Sequence, residues 1–420
     1  MGSTNSKNTF PRRPRISMSM ALMPALVFSS AVFAASPAAA CEQPAAALEA
    51  QACPTAQDAA QEDSARLKRG AASLSNSVTG VVSPVAKFDG ACTSLTPADL
   101  EAAGFRLGDS VDIAFSNGHA LSDVPYFSGY YVKKGEPFVV AYPGFEFVHI
   151  GRNNSEFWTP AGLSQGDTVT ISLNTAGKYL PVMERLNQVY QDDRDAYASD
   201  VEFANFRALS GGRLKRNFLY RGASPVDNCH KRAATVDRLV ERAGVTSIVD
   251  LADSKEDMAS YLGFDDFASP YAKSIHENGR TALLGMGTNY ETETYRAGVA
   301  AAARQLIGSD GPVYIHCMEG KDRTGFVCML LEALSGASVG EMRADYMQSY
   351  ANYYGINEAE TPEAYAAVSS LYFDDFLDYL SSLTGEERGA ADYAVAARAY
   401  LSTCGLADET TDALAAAICA

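Results

Sequence analysis

Cys317 and Arg323, with five residues between them, bracket the run His316-Cys317-Met318-Glu319-Gly320-Lys321-Asp322-Arg323-Thr324-Gly325. A thiolate is a strong nucleophile, and a guanidinium is a planar fork that binds two phosphate oxygens at once. At the two ends of one tight loop, the pair suits cleavage of a phosphate monoester. Asp322 is the nearest acid for the leaving oxygen, and Lys321 adds a cation. Thr324 can donate its hydroxyl to sulfur once sulfur becomes the leaving group. Gly320 lets backbone approach a ligand with no Cβ in the way. Met318, Glu319, Gly320, Lys321, Thr324 and Gly325 are therefore read as the phosphate-binding shell around Cys317, Asp322 and Arg323. His316 is expected to shape the loop by hydrogen bonding, and Glu319 to face outward. A cysteine alone in apolar surroundings is ordinary core. Here a histidine, glycine, arginine and threonine stand in register with it, which favours chemistry.

The flanks supply the positioning. Val313 to Ile315, after Gly311 and Pro312, read as a short buried strand. Phe326 to Leu334 reads as a mostly buried helix. The loop thus ends at a helix N-terminus, where unpaired amides and the helix dipole attract anions and favour a cysteine thiolate.

The pattern His-Cys-x-x-Gly-x-x-Arg-Thr-Gly resembles the phosphate loop of the cysteine-dependent protein tyrosine phosphatase superfamily. With Lys321-Asp322 it is similar to a bacterial tyrosine phosphatase family whose loop reads H-C-x-x-G-K-D-R-T-G. The likeness extends to Phe218–Pro225, Ile248-Val249-Asp250-Leu251, Asp345-Tyr346-Met347 and Tyr353-Tyr354-Gly355-Ile356, roughly the C-terminal half of the chain. The resemblance implies attack of Cys317 on phosphorus, a phosphocysteine intermediate and its hydrolysis, with no metal or other cofactor. Many such enzymes carry the general acid on a separate loop upstream. The matching stretch here, Leu284-Gly285-Met286-Gly287-Thr288-Asn289-Tyr290, holds no aspartate, so the resemblance assigns the acid to Asp322, with Glu291 and Asp253 as runners-up. Asp250 and Asp253 are expected to cap a helix starting near Ser254. Arg221 either reaches the phosphate or makes a structural ion pair.

Residues 1–40 carry Lys7, Arg12, Arg13 and Arg15, then an apolar run and Ala38-Ala39-Ala40, which is a secretory signal pattern. Cleavage would make the chain secreted or cell-surface, and Cys41 directly after it is a possible site for a lipid anchor. Loss of those four cations takes the formal charge from −17 to −21. So acidic a chain disfavours nucleic acid and anionic membrane as partners. Residues 41–90 read as a disordered linker. Residues 91–177, with strand-like runs Val111–Phe115, Phe138–Tyr142, Glu146–Ile150 and Thr168–Leu173, read as a small antiparallel β domain, a barrel or sandwich. The run 135–167 resembles the C-terminal barrel of S-adenosylmethionine hydrolase and fluorinase-like proteins, but the partner domain completing their site is missing, and no activity carries over. Trp158 is expected to pack the barrel, or with Asn153 and Asn154 to line a groove.

Residues 178–420 read as the α/β catalytic domain, a central, mostly parallel sheet flanked by helices. Lys178 to about Tyr197, Asn228–Ala243 and Glu291–Ile307 are expected helices, and Val245–Leu251 a strand. Among eight cysteines without a CxxC spacing, Cys404 with Cys419 and Cys53 with Cys92 are candidate disulfides, and Cys328 is core. The function expected is a secreted, metal-independent phosphomonoesterase, foremost a protein tyrosine phosphatase acting on phosphotyrosine proteins or small phosphomonoesters. The alternatives are a phosphoinositide phosphatase and a catalytically idle phosphate-binding module.

Overall fold

The computed structural model describes residues 76–420, apart from Gly144, Asn187 and Tyr190. The expectations for the signal segment, for Cys41 and for Cys53 lie outside the described residues. No helix among the described residues is long and apolar enough to cross a membrane.

The first half is a closed seven-stranded barrel in the order β1-β2-β6-β5-β4-β3-β7. Its strands are β1 (Ser77–Val85), β2 (Gly90–Thr93), β3 (Ser110–Phe115), β4 (Ala120–Phe127), β5 (Pro137–Val140), β6 (His149–Arg152) and β7 (Thr168–Thr175), with a 3-10 turn (Ala86–Phe88) and a short α-helix, α1 (Pro97–Ala102). Closure leaves no free edge. All neighbouring pairs are antiparallel except β4 and β5, which run parallel. The domain is therefore a barrel with one parallel pair rather than a purely antiparallel unit. It also begins earlier than the sequence suggested: β1 lies inside the stretch read as linker, pairing with β7 from Ser77↔Ser172 to Val81↔Thr168. Serine, threonine and glycine dilute its apolar pattern, and only the closed barrel reveals its inward face. Trp158 packs against the barrel core. Asn153 donates from Nδ2 to Val132 O at 2.7 Å and so ties its turn to the connection between β4 and β5.

The second half holds a five-stranded sheet, order β11-β10-β12-β9-β8. These are β8 (Arg207–Ala208), β9 (Leu219–Gly222), β10 (Ser247–Asp250), β11 (Thr281–Leu283) and β12 (Val313–His316). All pairs are parallel except the short edge strand β8. β12 is the middle strand and wholly buried. Its alternation serves both faces: Val313 and Ile315 join the larger core, Tyr314 the smaller. The large core is closed by α7 (Glu293–Ile307), α8 (Asp322–Leu334), α12 (Tyr393–Thr403) and α13 (Asp408–Ile418); the small one by α4 (Ala233–Arg242) and α6 (Pro270–Glu277). α8 is buried from Thr324 to Leu334, Cys328 included, as expected of the helix that follows the loop.

Several local expectations are corrected. The helix drawn from Lys178 to Tyr197 is α2 (Leu180–Leu186) followed by a single 3-10 turn, Arg194–Ala196, which Asp193 caps by accepting from Asp195 N at 3.0 Å. The next helical turn, α3 (Asp200–Phe203), is capped by Ser199. Neither Asp250 nor Asp253 caps α5 (Lys255–Leu262): Ser254 and Asp257 form its capping box. Cys404 and Cys419 are both free. They flank the two ends of α13, whose length of roughly 16 Å at 1.5 Å per residue far exceeds a disulfide's reach.

Candidate active site

β12 delivers His316 and Cys317 to the C-terminal edge of the sheet, and α8 begins at Asp322, so the loop of residues 317–321 is confined between a buried strand and a buried helix. Among the described residues no acceptor pairs with the backbone N–H groups of Met318 to Thr324. Those amides remain for an anion at the helix N-terminus. Cys317 is 3% exposed. The turn depends on Gly320, which has φ +67; a Cβ there would lie 1.9 Å from Gly222 O. Only glycine allows β9 and the loop to approach this closely.

The loop is held from behind by its carbonyls. Arg221, fully buried, donates to Gly320 O at 2.8 Å and pairs with Asp345 on α9 (Val339–Tyr354). Arg207 donates from Nε to Asp345 Oδ1 at 2.7 Å. Asn205 Nδ2 and Tyr353 Oη both reach Glu319 O, at 3.1 and 2.8 Å. Desolvation pushes the Asp345 carboxyl up, but the two guanidiniums outweigh it and hold it below its ordinary value. Arg221 is thus a structural arginine, the second of its two expected roles, and the tyrosine-rich end of α9 packs on the loop through Tyr353 and Tyr354.

His316 is buried, its Nδ1 3.2 Å from Cys317 O and its Nε2 3.8 Å from Asp250 Oδ2. Desolvation pulls its pKa down to about 4, so it is neutral at neutral pH. Asp250 accepts the amides of Ala252 and Asp253 at 2.9 and 3.0 Å; burial raises it to about 6. Asp253, also buried, is pushed well up by desolvation and by Asp250. Arg323 donates to Met286 O at 2.9 Å. The 284–290 stretch therefore holds the arginine in place of carrying an acid. Desolvation pulls Arg323 down, and Cys317, Asp253, Tyr295 and Asp250 together lift it above its ordinary value.

Of the three acid candidates, Glu291 is paired with Lys134 of the barrel, and Asp253 is buried beside another carboxylate. Asp322 keeps about half of its side chain, 53%, open to solvent, at the first position of α8. The walls around it still desolvate the carboxyl and push it up against the pull of Lys321. Thr324 Oγ1 is buried without a hydrogen-bond partner.

Glu319 overturns the outward-facing expectation. It is 6% exposed, 3.0 Å from Lys321 Nζ, and accepts from Tyr142 Oη of the barrel at 2.7 Å. Lys321 also donates to Tyr354 Oη at 3.2 Å, over the rings of Tyr350 and Tyr354. The loop's cation is thus committed to a carboxylate and an aromatic box.

The barrel is a second contributor, through residues that sequence reasoning did not name. Beyond Tyr142 and Lys134, Lys87 donates to Ala252 O at 2.7 Å, and its carbonyl abuts Gly287. Desolvation and Arg323 push the Lys87 ammonium down, against Asp253. No local pattern marks these residues; only the docking of the two domains does.

A parallel sheet whose middle strand feeds a Cys-x5-Arg loop into a helix N-terminus defines a cysteine-based phosphatase. The model of the tyrosine phosphatase family matches residues 202–420, and the chain belongs to that family. An uncharacterized conserved protein from Thermotoga maritima is similar at 18% identity and a TM-score of 0.21, over 23% of this chain and 36% of its own length. The core catalytic domain of the PP-IP phosphatase SIW14 from S. cerevisiae, solved with citrate, is similar at 17% identity and a TM-score of 0.23, over 42% of this chain and 96% of its own. No curated protein matches the chain.

Proposed function

We propose that the chain hydrolyses phosphotyrosine in proteins through a phosphocysteine intermediate. The observation that carries this reading is the loop itself: unpaired amides from Met318 to Thr324 beside Cys317 and a fixed Arg323. The Cys317 thiolate attacks phosphorus while the bond to the tyrosine oxygen breaks. Asp322, protonated, gives that oxygen its proton. Arg323 and the amides stabilise charge on the equatorial oxygens. Water then attacks phosphorus, Asp322 takes its proton, the sulfur–phosphorus bond breaks, and phosphate leaves. The unpaired Thr324 hydroxyl stabilises the departing thiolate.

Engagement of Lys321 by Glu319 at 3.0 Å supports a singly phosphorylated substrate over a phosphoinositide, because the loop keeps no spare cation for further phosphates. The sequence of residues 1–40 supports work outside the cytoplasm, where Cys317 must be kept from oxidation.

The test is phosphate release from a phosphotyrosine peptide and a phosphoinositide, in chelator and reductant, by wild type, Cys317→Ser and Asp322→Asn. Peptide turnover that vanishes in the cysteine variant is expected. Turnover of both substrates at comparable rates would overturn the preference, and an inert wild type the activity.

A further inference from the structure

Arg323 is held by a segment that the barrel helps to fasten. Among the described residues its guanidinium makes one hydrogen bond, from Nη1 to Met286 O at 2.9 Å. Met286 lies where the chain leaves β11. The amides of Leu284, Gly285 and Met286 donate to Asp250 O, Asp253 O and Leu251 O at 3.0, 3.0 and 2.8 Å. Beyond Met286 these ties stop: among the described residues the amides of Gly287 to Tyr290 find no acceptor. The barrel meets the segment at two points. At its far end Lys134, in the connection between β4 and β5, pairs with Glu291 and lies 4.3 Å over the ring of Tyr290. Tyr290 in turn stacks on Phe326, one helical turn beyond Arg323, at 4.9 Å and 9°. At its near end is Lys87, in the 3-10 turn between β1 and β2. Lys87 Nζ donates to Ala252 O at 2.7 Å, inside the stretch that receives the three amides. Its own carbonyl lies so close to Gly287 that a Cβ there would stand 2.9 Å away. The turn carries no buried side chain, so Lys87 is not there to fill a core. Desolvation and then Arg323 depress its ammonium, while Asp253, Asp257 and Asp250 lift it, which places it among the charges flanking the guanidinium.

We infer that Lys87 of the barrel is a positioning residue for Arg323: it clamps the 250–253 and 284–287 stretches together, so that the Met286 carbonyl holds the guanidinium ready for phosphate. The inference rests on the phosphate-binding loop of the proposed function and gives the barrel a part in it. Without the clamp Met286 O is free to shift, and Arg323 loses its fixed partner. The guanidinium must then be ordered when phosphate binds, and that ordering opposes binding. The penalty falls on the phosphate group itself, whatever it esterifies. It is the same for the bound substrate and the transition state, so it appears in KM and not in kcat. Gly287 belongs to the same device, because it leaves room for the hairpin tip to press against the segment next to Met286.

The experiment measures inorganic phosphate affinity by calorimetry, and KM and kcat for p-nitrophenyl phosphate, on full-length wild type, Lys87→Met, Lys87→Arg and Gly287→Ala. Lys87→Met removes the donor to Ala252 O. Gly287→Ala displaces the hairpin tip without touching a charge, and so separates positioning from a plain loss of positive field. Both should weaken phosphate and raise KM about three- to tenfold with kcat held within about twofold, while Lys87→Arg, which keeps a donor, stays within about twofold of wild type throughout. Thermal melts close to that of wild type show that the fold is intact. If Gly287→Ala melts early, Lys87→Met in ~1 M salt, where a field effect is screened, decides the same point. Normal phosphate affinity in Lys87→Met, a deficit there that Gly287→Ala does not share or that salt abolishes, or a fall in kcat at unchanged KM would each overturn the inference. Phosphate binding needs no turnover. An inert wild type that still shows the pattern in affinity would overturn the enzymatic reading and leave this one standing, and a wild type that binds no phosphate would overturn both.

Discussion

Replacing Glu319 by glutamine isolates one charge at the centre of the site. Glutamine keeps the shape and still accepts from Tyr142, but it no longer balances Lys321 at 3.0 Å. Burial alone would raise the Glu319 carboxyl. Lys321 above all, with His230 and the Tyr142 hydroxyl, brings it instead to about 2, against an ordinary 4.5. At about 1.4 kcal/mol per decade, that difference is a stabilisation on the order of 3 kcal/mol at neutral pH. The general cost of orphaning one member of a buried pair, about 3–5 kcal/mol, is similar. The sign sets the pH window. A depressed carboxyl stabilises fully above its unfolded value and loses that contribution as pH falls through its folded one, so the cost of Glu319→Gln should shrink to about 1–2 kcal/mol near pH ~3. Urea unfolding followed by helical circular dichroism reports the catalytic domain, which holds nearly all the described helices. A cost below about 1 kcal/mol at neutral pH, or one that does not shrink in acid, would refute the reasoning. The freed Lys321 should also lower KM for a bisphosphorylated substrate relative to phosphotyrosine.

Asp322→Asn should cut kcat about 10²–10⁴-fold for esters of weakly acidic phenols and much less for p-nitrophenyl phosphate, whose leaving group needs little proton transfer. The wild-type rate should fall on the alkaline side as pH rises through the raised Asp322 carboxyl, and the asparagine variant should lose that limb in a pH–rate profile. Gly320→Ala places a Cβ 1.9 Å from Gly222 O at φ +67; thermal melts and turnover should show a destabilised protein with activity lost, and a normal melt with full activity would contradict the close approach. Asp345→Asn strips the shared partner from Arg207 and Arg221, with an expected cost of about 3–5 kcal/mol in denaturant unfolding.

What the sequence made legible follows from which interactions are local. The strand, loop and helix around Cys317 could be read because β-branched residues, a positive-φ glycine and a long apolar run each declare themselves within a few positions. The parallel sheet followed from strands alternating with helices. The barrel was half legible: β3 and β7 show apolar alternation, whereas β1 carries Ser77, Thr79 and Gly80 and is a strand only because β7 and β2 pair with it. Glu319 shows the same limit at the site. Its flanking residues mark a loop glutamate as solvated, and such residues are almost never buried unless paired. Its partners are Lys321, two positions on, and Tyr142, far back in the barrel. The first partner was visible in the sequence, but the second decides the outcome, since a tyrosine from another domain covers the pair and turns a surface charge into an internal one. The loop is thus written in one short run, and the burial of its glutamate in a contact between domains that no short run can show.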